Sequence, residues 1–234
     1  MATVAFLIAQ PVSAGFIFFY SDPSGLAAEA EFTLLNPTTL EIRLRNTSTG
    51  VPLGFDNADQ ILTGVSWDFG SPGINVGDVM ILGGSVVIGP GSASVDFDAG
   101  SFGPGADVSG EWGFSNQDGT GMLTNFISGN AAQATPFGGP NLDGPDNIDG
   151  PQGGLISSAF FLPLGGLGAI QDEIIATLTL SAAMTDAQLL ADLNSNSTVV
   201  EFGSDAAFLT GVPAPGALGL LAVAAIARRR RRCA

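Results

Sequence analysis

The chain has 234 residues, of which 22 are acidic and 7 are basic, so its net charge is −15, and it contains no histidine. A surface this acidic repels nucleic-acid phosphates and anionic lipid headgroups. Because lysine is absent as well, the usual nucleophile–base pairs and histidine-ligated metals are excluded, which leaves carboxylate chemistry or an oxygen-ligated cation.

The first residues resemble the end of a secretory signal peptide. Residues 4–9 are apolar, and a small-x-small pattern over residues 12–14 precedes Gly15. No basic residue occurs before Arg43, so the charged start of such a peptide is missing. We expect residues 1–14 to be a truncated signal peptide. The alternative is that residues 6–20 form a first strand.

Alternating polarity predicts an all-β body over residues 15–211. Leu40, Ile42 and Leu44 alternate with charged residues and, with the Asn36-Pro37 turn before them, predict a hairpin over residues 28–46. Further strands are predicted at 60–69, 79–88, 92–98, 110–115, 155–162, 173–181 and 198–202. Because Gly and Pro turns rather than helices separate them, the pattern favours an antiparallel β-sandwich or jelly-roll.

One short helix is predicted near the end of the body. Thr185 is a good N-cap, and Leu189, Leu190 and Leu193 follow at helical spacing. We expect this helix to connect two late strands and to pack Leu189 and Leu193 over one end of the sheets.

Trp67 and Trp112 lie within predicted strands. Core packing is the simpler interpretation of both residues. The alternative is a platform on which sugar rings stack, and that requires an exposed tryptophan on one face of a sheet.

A six-residue repeat stands in the longest irregular stretch, residues 129–154. Asn141-Leu142-Asp143-Gly144-Pro145-Asp146 is followed by Asn147-Ile148-Asp149-Gly150-Pro151-Gln152. Asp143, Asp146 and Asp149 could supply oxygen ligands to calcium while Gly and Pro shape the loop. The alternative is a doubled surface turn.

The last 23 residues place an apolar segment between prolines and arginines. Val212, Pro213, Ala214 and Pro215 precede the apolar run Gly216–Ala227, which ends in Arg228, Arg229, Arg230, Arg231 and Arg232. We expect a C-terminal hydrophobic helix over this run. At about 18 Å it is a marginal span for a bilayer core of about 30 Å. The positive-inside rule keeps the arginines, and Cys233 after them, in the cytoplasm and the body on the far side.

This tail resembles the PEP-CTERM sorting signal of bacterial exosortase substrates. The matching features are Pro213-Ala214-Pro215, Gly216–Ala227 and Arg228–Arg232, with Ala214 where the family usually has glutamate. The resemblance implies an exported protein of a Gram-negative-type bacterium. It would be anchored in the inner membrane through residues 212–234, cleaved by an exosortase-like sorting enzyme and transferred to the cell surface or extracellular matrix.

No residue pattern in the body predicts an enzyme. We expect a structural or adhesive role in the cell envelope or in an exopolysaccharide matrix, with calcium as the one cofactor that the sequence suggests. One alternative is a carbohydrate-binding module that uses Trp67 or Trp112. Another is a carboxylate-based glycosidase, which needs two acids about 5–10 Å apart across a cleft. Glu111 beside Trp112 fits that alternative only in residue type, and Asp172-Glu173 is interpreted as the solvated start of a strand.

Overall fold

The computed structural model describes residues 15–49, 57–70, 79–119, 121–140, 142, 151–159 and 166–214. These residues form mostly antiparallel sheets and one α-helix, which confirms the all-β class. The predicted signal peptide, the candidate calcium ligands Asp143, Asp146 and Asp149, and the tail from Pro215 onward lie outside the described residues. No helix in the described ranges has the length and apolar character that a bilayer crossing requires.

The strands are short and numerous. In chain order they are β1 (Phe16–Ser21), β2 (Ala27–Asn36), β3 (Thr39–Asn46), β4 (Leu62–Trp67), β5 (Ile81–Ile88), β6 (Ser94–Val95), β7 (Gly113–Asn116), β8 (Asn125–Ser128), β9 (Thr135–Pro136), β10 (Leu155–Ile156), β11 (Ala169–Gln171), β12 (Glu173–Leu180), β13 (Thr198–Phe202), β14 (Ala207–Thr210) and β15 (Val212–Pro213). The helix α1 (Asp186–Asn196) connects β12 to β13.

The first sheet has the strand order β15-β1-β2-β3-β12-β5, and every neighbouring pair in it is antiparallel. The hairpin of β2 and β3 pairs Phe32 with Ile42 and confirms the hairpin predicted over residues 28–46. Side chains alternate between buried and half-exposed along β3 and most of β2. One face of this sheet therefore lies on the core and the other faces solvent.

The second sheet has the order β6-β11-β10-β4-β8-β7-β9, and β13 pairs with both β4 and β14. Only the pair of β10 and β11 is parallel among the described strands. Every residue of β4 and β8 is buried, so this part of the sheet is covered on both faces.

The inner faces of the two sheets share one hydrophobic core, which makes the fold β-sandwich-like. Phe32 of the first sheet contacts Trp67 of the second edge-on, with ring centroids 5.5 Å apart. Phe69 makes a second edge-on contact with Trp67. Within the first sheet the consecutive strands β1, β2 and β3 form a meander.

The predicted helix is confirmed in position and packing. The Thr185 side chain accepts a hydrogen bond from the Gln188 main chain, and the Gln188 side chain accepts one from the Thr185 N–H, which forms a capping box. Leu189 and Leu193 are fully buried in the shared core.

Several strand predictions were wrong in length or type. Of residues 92–98 only Ser94–Val95 pair as a strand, and residues 110–115 begin with a 3₁₀ turn, Ser109–Glu111, before β7. The short strands β8, β9, β11, β14 and β15 were not predicted. Each is brief and defined by its partner rather than by alternation of its own residues.

Candidate functional site

The chain leaves the described body along the edge of the first sheet. Val212 lies opposite Phe19 and Pro213 opposite Phe18, so the first residues of the predicted sorting signal form β15. The Ala214 N–H donates to the Ile17 carbonyl at 2.8 Å. The last described strand therefore lies beside the first, because β1 begins at Phe16.

Strand β15 also connects the two sheets. Just before it, β14 pairs with β13 in the second sheet, and the Gly211 N–H donates to the Thr198 carbonyl at 2.7 Å. The buried Tyr20 hydroxyl of β1 donates to Thr198 Oγ1 at 2.7 Å. Residues 207–214 therefore close one side of the sandwich by switching from one sheet to the other.

Proline suits this outer position in the sheet. Because Ala214 bonds to β1 and bonded and non-bonded pairs alternate along an antiparallel ladder, the Pro213 nitrogen faces away from β1. That free edge is where a missing N–H costs nothing and where proline discourages the addition of a further strand.

The solvent-facing side of this edge is apolar. Phe19 is 46% exposed and Val212 is 65% exposed, and the two are direct cross-strand neighbours. Ile17 is half-buried on the same face of β1 and lies beside Ala214. We call these four residues, Ile17, Phe19, Val212 and Ala214, the apolar edge.

A charge ladder crosses the middle of the same face. Arg45 lies opposite Glu29 on one side and Glu173 on the other, and Arg43 lies opposite Glu31. Arg45 Nη2 donates to Glu173 Oε2 at 2.6 Å, and Arg43 Nε lies 2.7 Å from the same oxygen. These contacts bind three neighbouring strands, β2, β3 and β12, to one another.

Glu173 is the buried centre of this ladder. Its side chain is 2% exposed, whereas the arginine side chains above it are about a third exposed. The interpretation of Asp172-Glu173 as a solvated strand start was therefore wrong for Glu173. Arg43 and Arg45 are the only basic residues among the described ones, so within the described part of the chain only this face has positive charge that offsets part of its acidic charge.

Both tryptophans are fully buried. Trp67 packs between Phe32 and Phe69, and the Trp112 Nε1–H donates to the Gly153 carbonyl at 3.1 Å. Neither ring has a face free for a sugar, so we set the platform aside and assign both residues to core packing.

Glu111 and Trp112 hold the two ends of the segment that carries the repeat. Glu111 is buried, and its Oε1 accepts from the Leu142 N–H at 2.6 Å. Trp112 holds the other end through Gly153. The sequence placed these two side chains next to each other but did not reveal this clamp, because its partners lie 31 and 41 residues away.

Glu201 of β13 is another deeply buried carboxylate. Its Oε1 accepts from Asn130 Nδ2 at 2.8 Å and from the Asp205 N–H at 3.2 Å. Burial raises the pKa of its carboxyl. Like Glu111, it fastens loops to the sheet.

Among the described residues, no three Asp, Glu, Cys or His side chains lie close enough together to hold a metal ion. Comparisons with protein-family models, with curated proteins and with solved structures each found no match to this chain.

Proposed function

We propose that this chain is an exported envelope protein, held at the inner membrane by its C-terminal tail and sorted to the cell surface or extracellular matrix. The β body has a structural or adhesive role there and no catalytic one. The order of Pro213-Ala214-Pro215, the apolar run Gly216–Ala227 and Arg228–Arg232 is the observation that carries this proposal.

The distribution of charge along the chain supports the orientation. Five of the seven basic residues stand together after the apolar run, whereas all acidic residues precede it. Moving one arginine to the bilayer centre costs at least about 2.5 kcal/mol. The arginines therefore stay on the cytoplasmic side and the acidic body on the other.

The position of β15 is compatible with removal of the residues that follow it. Ala214, next to β15, donates a hydrogen bond to the Ile17 carbonyl of β1. A sorting enzyme that removes the tail after this point would leave β15 and the closed edge of the sandwich in place.

The thiol of Cys233, the only cysteine, provides a direct test of topology. The full chain is expressed behind an efficient export signal in a Gram-negative host, and spheroplasts are treated with a membrane-impermeant maleimide. We expect no labelling of Cys233 until the membrane is lysed. Labelling of Cys233 in intact spheroplasts would contradict the proposed orientation.

A matched control places the only thiol in the body. Ser101 is exposed, so the double variant Ser101→Cys, Cys233→Ser should label in intact spheroplasts. Mass spectrometry of the product made in a host with an exosortase-like enzyme then shows whether the residues after Pro213 have been removed. Protection of the double variant in intact spheroplasts would place the body in the cytoplasm and remove the proposal.

A sugar-binding role has no supporting observation in the described residues, because Trp67 and Trp112 are buried. A glycan array with the purified body separates the two roles. We expect no specific binding that depends on either residue.

A further inference from the structure

We propose that the apolar edge, Ile17, Phe19, Val212 and Ala214, lies against the lipid surface while the tail is anchored. The inference rests on the proposed function, since it requires the tail to be in the membrane. It adds a second membrane contact, made by the folded body itself.

The position of the edge makes this contact possible. Val212 lies four residues before Gly216, where the apolar run begins. Even fully extended, four residues cover only about 13 Å. Each headgroup layer is itself about 5–8 Å deep, so the exposed Phe19 and Val212 side chains are within reach of it.

The short length of the apolar run also brings the body close to the bilayer. The run Gly216–Ala227 has twelve residues, and a helix of that length leaves roughly 12 Å of the hydrocarbon core unspanned. With arginines fixed at the cytoplasmic end, the shortfall is met by thinning the bilayer and by pulling the residues before Gly216 toward it. Those residues are β15, which is hydrogen-bonded to β1.

Charge selects this face over the rest of the body. The apolar edge carries no charge, and on the adjoining strands of the same face Arg43 and Arg45 offset part of the charge of Glu29, Glu31, Glu41 and Glu173. The other described parts of the body carry acids and no basic residue. This face can therefore approach zwitterionic headgroups with the least electrostatic cost.

Tryptophan fluorescence in vesicles tests the contact. The full-length Phe19→Trp protein is reconstituted in phosphatidylcholine vesicles with or without lipids brominated near the headgroup, and vesicle flotation is measured on the same samples. The natural Trp67 and Trp112 are buried, so wild-type quenching gives the background. We expect the Phe19→Trp protein to lose about twofold more emission than wild type, because an indole favours the interface.

Leu82→Trp is the matched control. Leu82 is 61% exposed on β5, the other edge strand of the same sheet. It lies four strands from β1, about 19 Å away. We expect its quenching to equal that of wild type. Val212→Trp repeats the test on β15, and unchanged unfolding midpoints show that each variant folds.

The outcomes separate the two proposals. Flotation with selective quenching at positions 19 and 212 supports the lipid contact. Flotation with no more quenching at those positions than at position 82 overturns the contact and leaves the anchor intact. A chain that does not float with vesicles overturns both.

Discussion

The two sheets of this protein bury their strands in different ways. In the first, β3 alternates strictly between buried apolar and half-exposed polar side chains. In the second, β4 is buried along its whole length, and small residues such as Gly64 and Ser66 occupy its outer face. A sheet with one solvent-exposed face carries charged side chains on that face. A sheet covered on both faces needs small residues where other segments pack against it.

The shared core gives the largest expected effect. Trp67→Ala removes the ring that links Phe32 to the second sheet, and we expect a loss of about 3–5 kcal/mol in the free energy of unfolding. Phe19→Ala, on the wet side of the first sheet, should change it by no more than about 0.5 kcal/mol. Urea unfolding measures both, and similar losses would mean that the two faces do not differ as described.

The charge ladder is the next test. Glu173→Ala removes the carboxylate that Arg43 and Arg45 share. We expect the free energy of unfolding to fall by about 1.5–3 kcal/mol, because the variant loses charged contacts to a buried carboxylate. Glu29→Ala removes a longer and more exposed contact of 3.4 Å, so its loss should stay below about 1 kcal/mol. Equal losses in urea unfolding would show that the burial of Glu173 is not what matters.

The covered face of β4 gives a third test. A Cβ at Gly64 would lie 2.9 Å from the Ile127 carbonyl oxygen of β8 and 3.1 Å from Met122 Cε. The oxygen is main chain and cannot yield without moving β8, so Gly64→Ala should cost about 1–3 kcal/mol.

Gly103→Ala is the control for Gly64→Ala, because nothing lies within 4 Å of its Cβ position. Its unfolding free energy should stay within about 0.5 kcal/mol of wild type. A neutral Gly64→Ala would mean that the outer face of β4 has room and is not tightly covered.

The same contrast explains how far the sequence predicts the fold. The hairpin of β2 and β3 and the helix α1 were predicted because alternating polarity, an N-cap threonine and leucines at helical spacing are local patterns. In the second sheet, all residues of β8 are buried and both residues of β9 are exposed, so neither strand shows an alternating pattern.

The candidate site was less predictable for similar reasons. The link between Arg45 and Glu173 joins residues 128 positions apart, and nothing local shows that β12 lies beside β3. Pro213 does not by itself predict a strand, yet its position on the free edge of β15 makes it compatible with one. The residue type of Trp67 and Trp112 does not predict whether their rings face the core or the solvent.

The dependence of stability on pH is expected to be the smallest effect. Burial raises the pKa of Glu201, burial and then the neighbouring Glu31 raise that of Glu41, and burial raises that of Asp192. A carboxyl with a raised folded-state pKa binds its proton more tightly in the folded protein than in the unfolded chain. Stability therefore increases as the pH falls through the folded-state value toward the unfolded one.

We accordingly expect the urea midpoint to rise as the pH is lowered from neutrality toward the ordinary pKa range of carboxyl groups, because these carboxyls take up protons in the folded protein first. Glu201→Gln keeps a side-chain oxygen that can accept from Asn130 and Asp205 but has no charge to desolvate. The variant should be more stable than wild type at pH near 7 and should show a weaker rise on acidification. Two results would contradict this expectation. One is a wild-type urea midpoint that falls as the pH is lowered, and the other is a variant with the same pH dependence as wild type. Either would show that burial does not raise the pKa of Glu201 enough to affect stability.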